Sequence, residues 1–572
     1  MSVNFTGRVR LLSLIIFIMI LVLVSRLFFL QLIKNNFYAD KADRQYQRPA
    51  GQLSDRGTIF FKQQNAQLVS AATMRDGFIL ALNPTLISSA SPDLENIYSK
   101  LVNILPELDH ESFIAKASKS TDPYEEIATR LDQATADKIK SLKLSGVNLY
   151  KTRWRFYPAG ATAAHALGFL NYEGVGSYGL EKQYESLLKR ESDKTFVSFL
   201  SEVLSDFGGS LWGKAVNTSE ADIVTSIEST VQETLEQELA LIKSKWQSET
   251  VGGIILDPHT GAVLAMAALP DFDPGGKKDN LNILANPLVE RVYEMGSIFK
   301  PLTMAAALDA GVVKPSTTYF DAGTLMLNNK TINNFDFKSR GTVSMQEVLN
   351  QSLNTGAVFA MQKLGRIKFS EYMFKYGLAE KTNIDLPGEV NNLITNLNST
   401  RDIEYATAAF GQGLAVTPIT MARALAVLGN GGVLVKPHVV TEISRNNSKL
   451  TQVIKPEIIR QVLKPETSKT ITQMLVTVVD TALLGGQHKN ERYSVAAKTG
   501  TAQQVRPGAN SYDPDYFLHS FFGYFPASNP RFLVFLYQLH PQGAPYASAT
   551  LTEPFMKLTK FLLNYYNVPP DR

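Results

Sequence analysis

The most regular hydrophobic and polar patterns lie in the part of the chain that begins at Ser229. Residues Ser229–Trp246 carry apolar side chains at helical spacing and predict an amphipathic helix. The next stretch, VGGIILDPHTGAVLAMAAL, predicts two strands joined by a turn at residues 257–261. Farther on, SVAAKTGTAQQV predicts a strand, and HSFFGYFPASNPRFLVFLYQL predicts two more. In the final helix, EPFMKLTKFLLNYY, Pro554 is expected in the first turn.

The middle of this part, about residues 297–428, is predicted to be mostly helical. Strands at both ends of a domain around a helical middle predict one antiparallel sheet, built from distant segments, with helices packed on it. Residues 34–223 are mixed in pattern and predict a second folded domain, with strand-like runs such as GFILAL. Two or more domains are expected for 572 residues, because a single hydrophobic core does not grow to that size.

The amino terminus predicts a membrane anchor. The chain is almost wholly apolar from Leu11 to Val24 and largely apolar to Ile33, and about 20 such residues span a bilayer. Arg8 and Arg10 precede the run, which favours a cytoplasmic amino terminus. Bulky residues follow Val24 in place of a signal-peptide cleavage site, so an uncleaved anchor is favoured over a signal peptide or a core helix. We therefore expect a single-pass protein of the plasma (inner) membrane, with a cytoplasmic tail at 1–10, the anchor at 11–33 and an extracytoplasmic catalytic domain.

Composition argues against several kinds of partner and of site. The net charge of +4 is small for this length and gives no electrostatic case for a nucleic-acid partner. The absence of cysteine excludes disulfides, thiolate metal sites and cysteine nucleophiles.

Candidate chemistry comes from three short motifs. They follow one another in the order SIFK (Ser297, Lys300), SLN (Ser352, Asn354) and KTGT (Lys498, Thr499, Gly500, Thr501). Each motif is weak alone, since Ser186 and Lys189 repeat the spacing of the first. All three in this order, with the first at a predicted helix start and the third on a late strand, are much harder to attribute to chance.

The residue types fit nucleophilic catalysis. A serine hydroxyl needs a base, and residues three apart on a helix share a face, so Lys300 can reach Ser297. Such a base must be neutral, and lowering a lysine pKa from about 10.4 by about 3 units corresponds to roughly 4 kcal/mol. Desolvation and a second cation, Lys498, act in that direction. Asn354 offers an amide to orient a peptide carbonyl, and Ser352 offers a hydroxyl to relay a proton.

This motif set resembles the serine acyltransferases that penicillin inhibits, the penicillin-binding proteins and serine β-lactamases. The wider sequence resembles the class B, monofunctional peptidoglycan transpeptidases over nearly its whole length. The stretches that carry this resemblance are RLFFLQ, RGTIFF, RFYPAGATAAHALGFL, GVGSYGLEKQYESLL, DPHTGAVLAMAALPDFDP, EMGSIFK, NIDLPGE, FGQGLAVTPITMARALAVLGNGG and KTGTAQ. The chain departs from the family at Met295 and Ile298, where proline and threonine are usual, and at Asn383, where glycine is usual.

The resemblance implies an α+β fold. A penicillin-binding-protein or serine β-lactamase-like transpeptidase domain would occupy 224–572, with an antiparallel sheet, helices on both faces and a helical subdomain. A pedestal (dimerisation-type) domain at 34–223 and one transmembrane helix would precede it. Within the family such proteins work beside a polytopic membrane glycosyltransferase, which is the implied partner.

The resemblance also implies a serine-type D-Ala-D-Ala transpeptidase that cross-links peptidoglycan stem peptides and takes β-lactams as covalent inhibitors. Ser297 would attack the penultimate carbonyl with Lys300 as base, and backbone N–H groups of Ser297 and Thr501 would form the oxyanion hole. Lys498, Thr499 and Thr501 would hold the substrate carboxylate. Gly500, which lacks a side chain, would let the substrate backbone approach the strand closely. No metal or cofactor is needed.

Several alternatives stay open at this point. A D,D-carboxypeptidase or β-lactamase would hydrolyse the same acyl-enzyme, although neither needs an anchor and a long pedestal. A β-lactam sensor lacks room for a signalling domain in the short tail, a bifunctional enzyme lacks a glycosyltransferase signature, and an inactive scaffold conflicts with the intact motifs. Between cell-wall roles, the chain length and the compact NYEGVGSYGLEKQYE stretch favour the division type over the elongation type.

Overall fold

The computed structural model describes residues 17, 19, 55–87, 91–119, 121–189, 221–278, 280–445, 450–506, 508–509 and 511–572. These residues form two compact units, one of residues 75–154 and one of residues 55–74 together with 155–572. Within the described ranges, no helix has the length and apolar character that crossing a membrane requires. Apart from Phe17 and Met19, the predicted anchor at 11–33 lies outside the described residues.

The described strands are, in chain order, β1 (Ile59–Lys62), β2 (Leu68–Leu82), β3 (Glu125–Leu131), β4 (Val147–Phe156), β5 (Asp222–Thr225), β6 (Thr250–Leu256), β7 (Val263–Leu269), β8 (Tyr293–Glu294), β9 (Thr318–Asp321), β10 (Thr324–Leu327), β11 (Lys330–Asn333), β12 (Gly341–Ser344), β13 (Ala415–Val416), β14 (Val433–Val435), β15 (Val440–Arg445), β16 (Leu450–Val453), β17 (Ile458–Gln461), β18 (Ala496–Val505), β19 (Tyr512–Phe525) and β20 (Phe532–Leu539).

The described α-helices are α1 (Ser91–Val102), α2 (His110–Ala117), α3 (Gln133–Ser141), α4 (Ala164–Leu167), α5 (Gly179–Gln183), α6 (Glu185–Leu188), α7 (Ser229–Trp246), α8 (Pro287–Glu290), α9 (Lys300–Asp309), α10 (Met345–Asn350), α11 (Asn354–Leu364), α12 (Arg366–Lys375), α13 (Asp402–Ala408), α14 (Pro418–Ala426), α15 (Pro465–Thr477) and α16 (Ala547–Tyr565). The predicted helix at 229–246 is confirmed.

The smaller unit, residues 75–154, contains its own apolar core. The carboxyl-terminal half of β2 pairs with β3 in antiparallel fashion. Leu80 of β2 lies in the same buried cluster as Leu101 of α1 and Phe113 of α2. The predicted GFILAL strand is confirmed as the end of β2.

The catalytic sheet of the larger unit has five strands in the order β18-β19-β20-β6-β7. All neighbouring strands are antiparallel, although β6 and β18 are more than 200 residues apart. Alternate residues of β6 enter different cores, since Val251 and Ile255 pack with α7 and α16, and Ile254 and Leu256 pack with the helices of the opposite face. The predicted sheet, assembled from distant segments with helices on both faces, is therefore confirmed.

The middle that is predicted to be mostly helical contains helices α9 to α14 and, in one part, strands that the sequence does not predict. Residues 318–344 form the four short strands β9, β10, β11 and β12, which pair as two antiparallel ribbons. Exposed and buried residues alternate along β9 with the two-residue period of a strand. Four residues are too few for that period to stand out in a sequence rich in helical patterns.

The predicted start of the final helix is also wrong. Helix α16 begins at Ala547, and Pro554 lies inside it instead of in its first turn. Ala547 and Leu551 are fully buried, and the Ala547 N–H donates a 3.1 Å hydrogen bond to Thr501 Oγ1. Packing on the sheet and this hydrogen bond therefore outweigh the lost backbone bond and the ring clash that proline brings to a helix interior.

Three distant sequence stretches of the larger unit meet in one buried ion cluster. Arg56 comes from RGTIFF, Arg155 from RFYPAG and Glu181 from GLEKQYE. Glu181, with no exposed surface, accepts hydrogen bonds of 2.7 Å from Arg56 Nε and 2.6 Å from Arg155 Nε. Arg56 also binds Glu185, and Arg155 donates to the Gly57 carbonyl. Arg155 thus pairs with Glu181, a carboxylate that water does not reach, whereas Arg56 pairs with both Glu181 and the partly exposed Glu185.

Replacing Glu181 by alanine should reduce the free energy of unfolding by about 3–5 kcal/mol, because buried Arg155 loses its carboxylate partner and buried Arg56 keeps only Glu185. Urea denaturation of the full chain in detergent, followed by tryptophan fluorescence, measures this change. The matched control is Glu553→Ala, which removes an exposed carboxylate beside Lys557 and should alter stability by less than about 0.5 kcal/mol. Equal urea midpoints for the two variants would contradict a stabilising role for the cluster.

Candidate active site

Ser297 lies in a tight turn that leads directly into a helix. Residues Gly296–Phe299 form a 3-10 helix, and α9 follows at Lys300. Gly296 has a φ of +63°, in the left-handed region that glycine enters at low cost. A Cβ at this position would lie 2.7 Å from the Thr501 carbonyl oxygen of β18. Conformation and close approach to β18 therefore both require glycine immediately before Ser297.

The structure gives a reason for glycine at position 500 that differs from the close approach of substrate that the sequence predicts. A Cβ at position 500 would lie 2.4 Å from Ser520 Oγ and 2.7 Å from the Met295 carbonyl oxygen. Ser520, opposite Gly500 on β19, donates a 2.8 Å hydrogen bond to that same carbonyl. Glycine at 500 thus makes room for the Ser297 turn, and close approach of a substrate stays a prediction. Sequence reasoning missed Ser520. Its only signal is the pairing of β18 with β19, which places it opposite Gly500.

The central contact of the site joins one residue from each motif. Lys300 Nζ donates to the Ser352 carbonyl oxygen and, at 3.1 Å, to Ser352 Oγ. Lys498 Nζ donates to the same Oγ at 3.0 Å and to the Thr499 carbonyl at 3.1 Å. Ser352 has a φ of +54°, in the left-handed region, and lies between α10 and α11. Two amines therefore converge on one hydroxyl oxygen.

Burial controls the charge of these amines. Lys300 is 1% exposed and Lys498 is 3% exposed. Burial, and secondarily the charge of Lys498, holds the pKa of Lys300 well below its usual value. Burial alone lowers the pKa of Lys498 to about 7. The predicted direction for Lys300 is confirmed, and the site can hold a neutral amine near neutral pH.

The Ser297 side chain makes fewer hydrogen bonds than the two lysine amines. Its side chain is partly exposed, and within the described part of the chain its hydroxyl makes no hydrogen bond. The Lys300 amine is directed to Ser352 instead. Catalytic hydrogen bonds are often long in ligand-free enzymes and shorten when substrate binds. Proton transfer between Ser297 and Lys300 stays a prediction.

The remaining motif residues are held by their neighbours. Asn354 donates its Nδ2 to the Asn333 carbonyl at 2.7 Å, and its backbone N–H to Asn334 Oδ1 at 2.9 Å. Thr499 and Thr501 are partly exposed on β18, where Thr501 Oγ1 accepts the hydrogen bond from the start of α16. Their predicted contacts with substrate are not tested by these bonds. Asn333 and Asn334 belong to no motif, and sequence reasoning missed them.

Within the described ranges, no group of three or more histidine, aspartate and glutamate side chains could hold a metal ion.

The sequence matches two protein-family profiles. The profile of the penicillin binding protein transpeptidase domain matches residues 251–559, more than half of the chain, and includes all three motifs. The profile of the penicillin-binding protein dimerisation domain matches residues 52–202.

Curated relatives match over most of their length. The chain is 29% identical to stage V sporulation protein D of Bacillus subtilis over 566 residues, which cover 97% of this chain and 85% of that protein. It is 27% identical to peptidoglycan D,D-transpeptidase FtsI of Buchnera aphidicola subsp. Schizaphis graminum over 564 residues, 97% of this chain and 94% of that one. The Escherichia coli K12 protein of the same name is 28% identical over 453 residues, 78% and 73% of the two chains.

Solved structures share the fold. The crystal structure of penicillin-binding protein 3 from Mycobacterium tuberculosis, complexed with aztreonam, superposes with a TM-score of 0.68. The match covers 91% of this chain and 98% of that one at 23% identity. Because a dimerisation domain precedes a transpeptidase domain along one chain, this chain belongs to the class B penicillin-binding proteins.

Proposed function

We propose that this protein is a membrane-anchored peptidoglycan D,D-transpeptidase that cross-links stem peptides through a serine acyl-enzyme and that β-lactams acylate. The observation that carries the proposal is the convergence of Lys300 and Lys498 on Ser352 Oγ, beside the turn that holds Ser297. Relatives named as peptidoglycan D,D-transpeptidases support the same reaction.

In the acylation step, neutral Lys300 accepts the proton of Ser297 Oγ as this oxygen attacks the penultimate carbonyl of a D-alanyl-D-alanine terminus. The N–H groups of Ser297 and Thr501 stabilise the developing oxyanion. The C–N bond then breaks, the departing D-alanine amine takes up a proton relayed by Ser352, and an ester links the donor peptide to Ser297.

In the second step, the amine of a neighbouring stem peptide attacks the ester carbonyl. A new amide forms, the C–O bond of the ester breaks, and Ser297 Oγ regains a proton. Microscopic reversibility assigns the base of this step to the same amine and hydroxyl system. The product is a cross-link, and the serine is free for another cycle.

Substrate binding uses the edge of the catalytic sheet. β18 is the terminal strand of that sheet, so an extended peptide can lie along it and add main-chain hydrogen bonds. Protonated Lys498, with Thr499 and Thr501, binds the terminal carboxylate. The anion favours the charged form of Lys498, which counteracts the effect of burial.

The cellular setting is inferred from the sequence and the family. The apolar segment at 11–33 anchors the chain in the plasma (inner) membrane, with the catalytic domain outside. A polytopic glycosyltransferase in the same membrane supplies the glycan strands, and the pedestal and anchor are its natural contact surfaces. The chain length and the compact NYEGVGSYGLEKQYE stretch support a division role over an elongation role.

Of the predictions that follow from this proposal, the first concerns pH. The pKa of Lys498 is lowered to about 7 in the folded protein, whereas an unfolded lysine keeps about 10.4. Between these values the unfolded chain binds a proton that the folded chain has released, so this group makes folding more favourable as pH rises. Relative to the parent, Lys498→Met should therefore be more stable at pH 7 than at pH 9.5. The free energy of unfolding of the variant minus that of the parent should fall by up to about 1.4 kcal/mol per pH unit as pH rises.

Thermal denaturation of parent and variant across this pH range measures that difference. The exposed Lys557→Met provides a control in which the difference from the parent should stay constant. A Lys498→Met effect that does not depend on pH would contradict the burial of a titrating amine.

The second prediction identifies the nucleophile. Ser297→Ala should abolish covalent labelling by a fluorescent penicillin, because no oxygen is left to form the ester. Ser186→Ala, at the exposed serine that shares the same spacing to a lysine, should label at the parental rate. Gel fluorescence and peptide mass mapping report the outcome, and retained labelling of Ser297→Ala would refute the assignment.

The third prediction concerns the anchor. The mature protein should retain residues 1–34, sediment with membranes, and be digested beyond about residue 35 by protease added outside the membrane. A chain that lacks residues 1–34 should be soluble and still label with penicillin, but it should lose cell-wall function. If the mature amino terminus lay downstream of Val24 and the protein were free in the extracytoplasmic fluid, a secreted hydrolase would be the better interpretation.

A further inference from the structure

Helix α11, which carries Asn354 at its start, has no local cap. Leu353 precedes it and has an apolar side chain, although the first N–H groups of a helix need acceptors. Asn334 supplies the acceptor from 20 residues earlier in the chain. Its Oδ1 accepts the N–H groups of Asn354 at 2.9 Å and Thr355 at 3.3 Å. The helix start is therefore fixed by the loop after β11 and not by its own sequence.

A buried carboxylate fixes the orientation of Asn334. Its Nδ2 lies 3.0 Å from both oxygens of Asp321, and both side chains are almost completely buried. An ionised carboxylate only accepts hydrogen bonds, so it binds the NH₂ end of the amide and leaves Oδ1 directed at α11. Asp321 also accepts a 2.7 Å hydrogen bond from Thr355 Oγ1 and one from the Arg340 N–H at 3.1 Å.

This network ends at the catalytic amines. Ser352 lies two residues before Asn354, and among the described residues its carbonyl and hydroxyl oxygens are the acceptors for Lys300 Nζ. Asn333, the last residue of β11, holds the Asn354 side chain through its carbonyl oxygen. A shift of the first turn of α11 would move Ser352 away from Lys300 and Lys498 together.

We infer that Asn334, oriented by Asp321, is a positioning residue of the acylation reaction. It contacts neither amine, and it acts by fixing Asn354 and, through the short Ser352–Asn354 segment, the hydroxyl that both amines share. The inference rests on the proposed function, since acylation of Ser297 is the reaction that it serves. A displacement of about 1 Å in a catalytic group lowers rates by about 100-fold.

The test measures acylation of the full chain in detergent by a fluorescent penicillin over a range of concentrations. This gives a first-order acylation constant and a non-covalent dissociation constant. Asn334→Ala should lower the acylation constant about 10- to 100-fold and leave the dissociation constant within about twofold, because the lost contact does not face the ligand.

The matched control is Asn392→Ala. Asn392 Oδ1 accepts the N–H of Thr417 at the start of α14 at 2.9 Å, and its Nδ2 donates to the Leu378 carbonyl. The exchange removes a remote asparagine Oδ1 acceptor from the residue before α14, a helix that Thr417 caps with its own side chain, and among the described contacts it has no link to Ser352. Its acylation constant should stay within twofold of the parent, with both variants assayed well below their thermal midpoints. Equal losses in the two variants, or none in Asn334→Ala, would overturn the inference.

A milder variant keeps the inference testable if Asn334→Ala does not fold. Thr355→Val preserves the shape of the side chain and removes the hydroxyl that binds Asp321. It should lower the acylation constant several-fold, and an unchanged constant would overturn the inference. A parent chain that the penicillin does not label would refute the proposed function itself, whereas a labelled parent with full activity in both network variants would refute only the positioning role.

Discussion

The site depends on one electrostatic constraint: two buried lysine amines share a single hydroxyl oxygen. Water is excluded from both, and Ser352 Oγ lies 3.1 Å from Lys300 Nζ and 3.0 Å from Lys498 Nζ. Two full positive charges that share one hydrogen-bond acceptor are costly in a low-dielectric interior, so the arrangement favours a neutral amine. The three segments that supply these residues are a helix start, a turn in left-handed conformation and a sheet edge. Each segment must be held in place against the repulsion between the two amines, because that repulsion is what favours the neutral form of one of them.

Backbone proximity keeps these segments together as much as side-chain bonding does. Gly296 and Gly500 lie where the Ser297 turn and β18 approach each other too closely for a Cβ. Ser520 then bonds the turn from the next strand. Ser297, the proposed nucleophile, is thus held against the sheet, whereas Ser352 is held on the helical side, through Asn334 and α11. The proposed catalytic residues come from two layers of the fold, and each layer has its own fixing contacts.

Sequence patterns predict the part of this structure that local periodicity governs. The strands around the turn at 257–261, helix α7 and the lowered pKa of Lys300 all follow from spacing and residue type. The start of α16 and the strands β9–β12 do not, because burial on a sheet and pairing between four-residue segments are decided by tertiary contacts. Asn383 has a φ of +55°, in the left-handed region that glycine enters readily and that asparagine is among the few other residues to tolerate, and no sequence pattern predicts this conformation. No spacing could indicate Asp321 and Asn334, since neither belongs to a motif.

The strand order of the catalytic sheet also determines when, during synthesis of the chain, the site can form. β6 pairs with β20, so the first strand of this domain must wait, unpaired on that side, until synthesis has passed Leu539. Lys498 lies on β18, which reaches β6 only through β19 and β20. Such long-range pairing folds slowly and exposes strand edges while the chain is incomplete. A chain whose synthesis is incomplete therefore contains Ser297 but not the assembled site, which forms only with the whole domain.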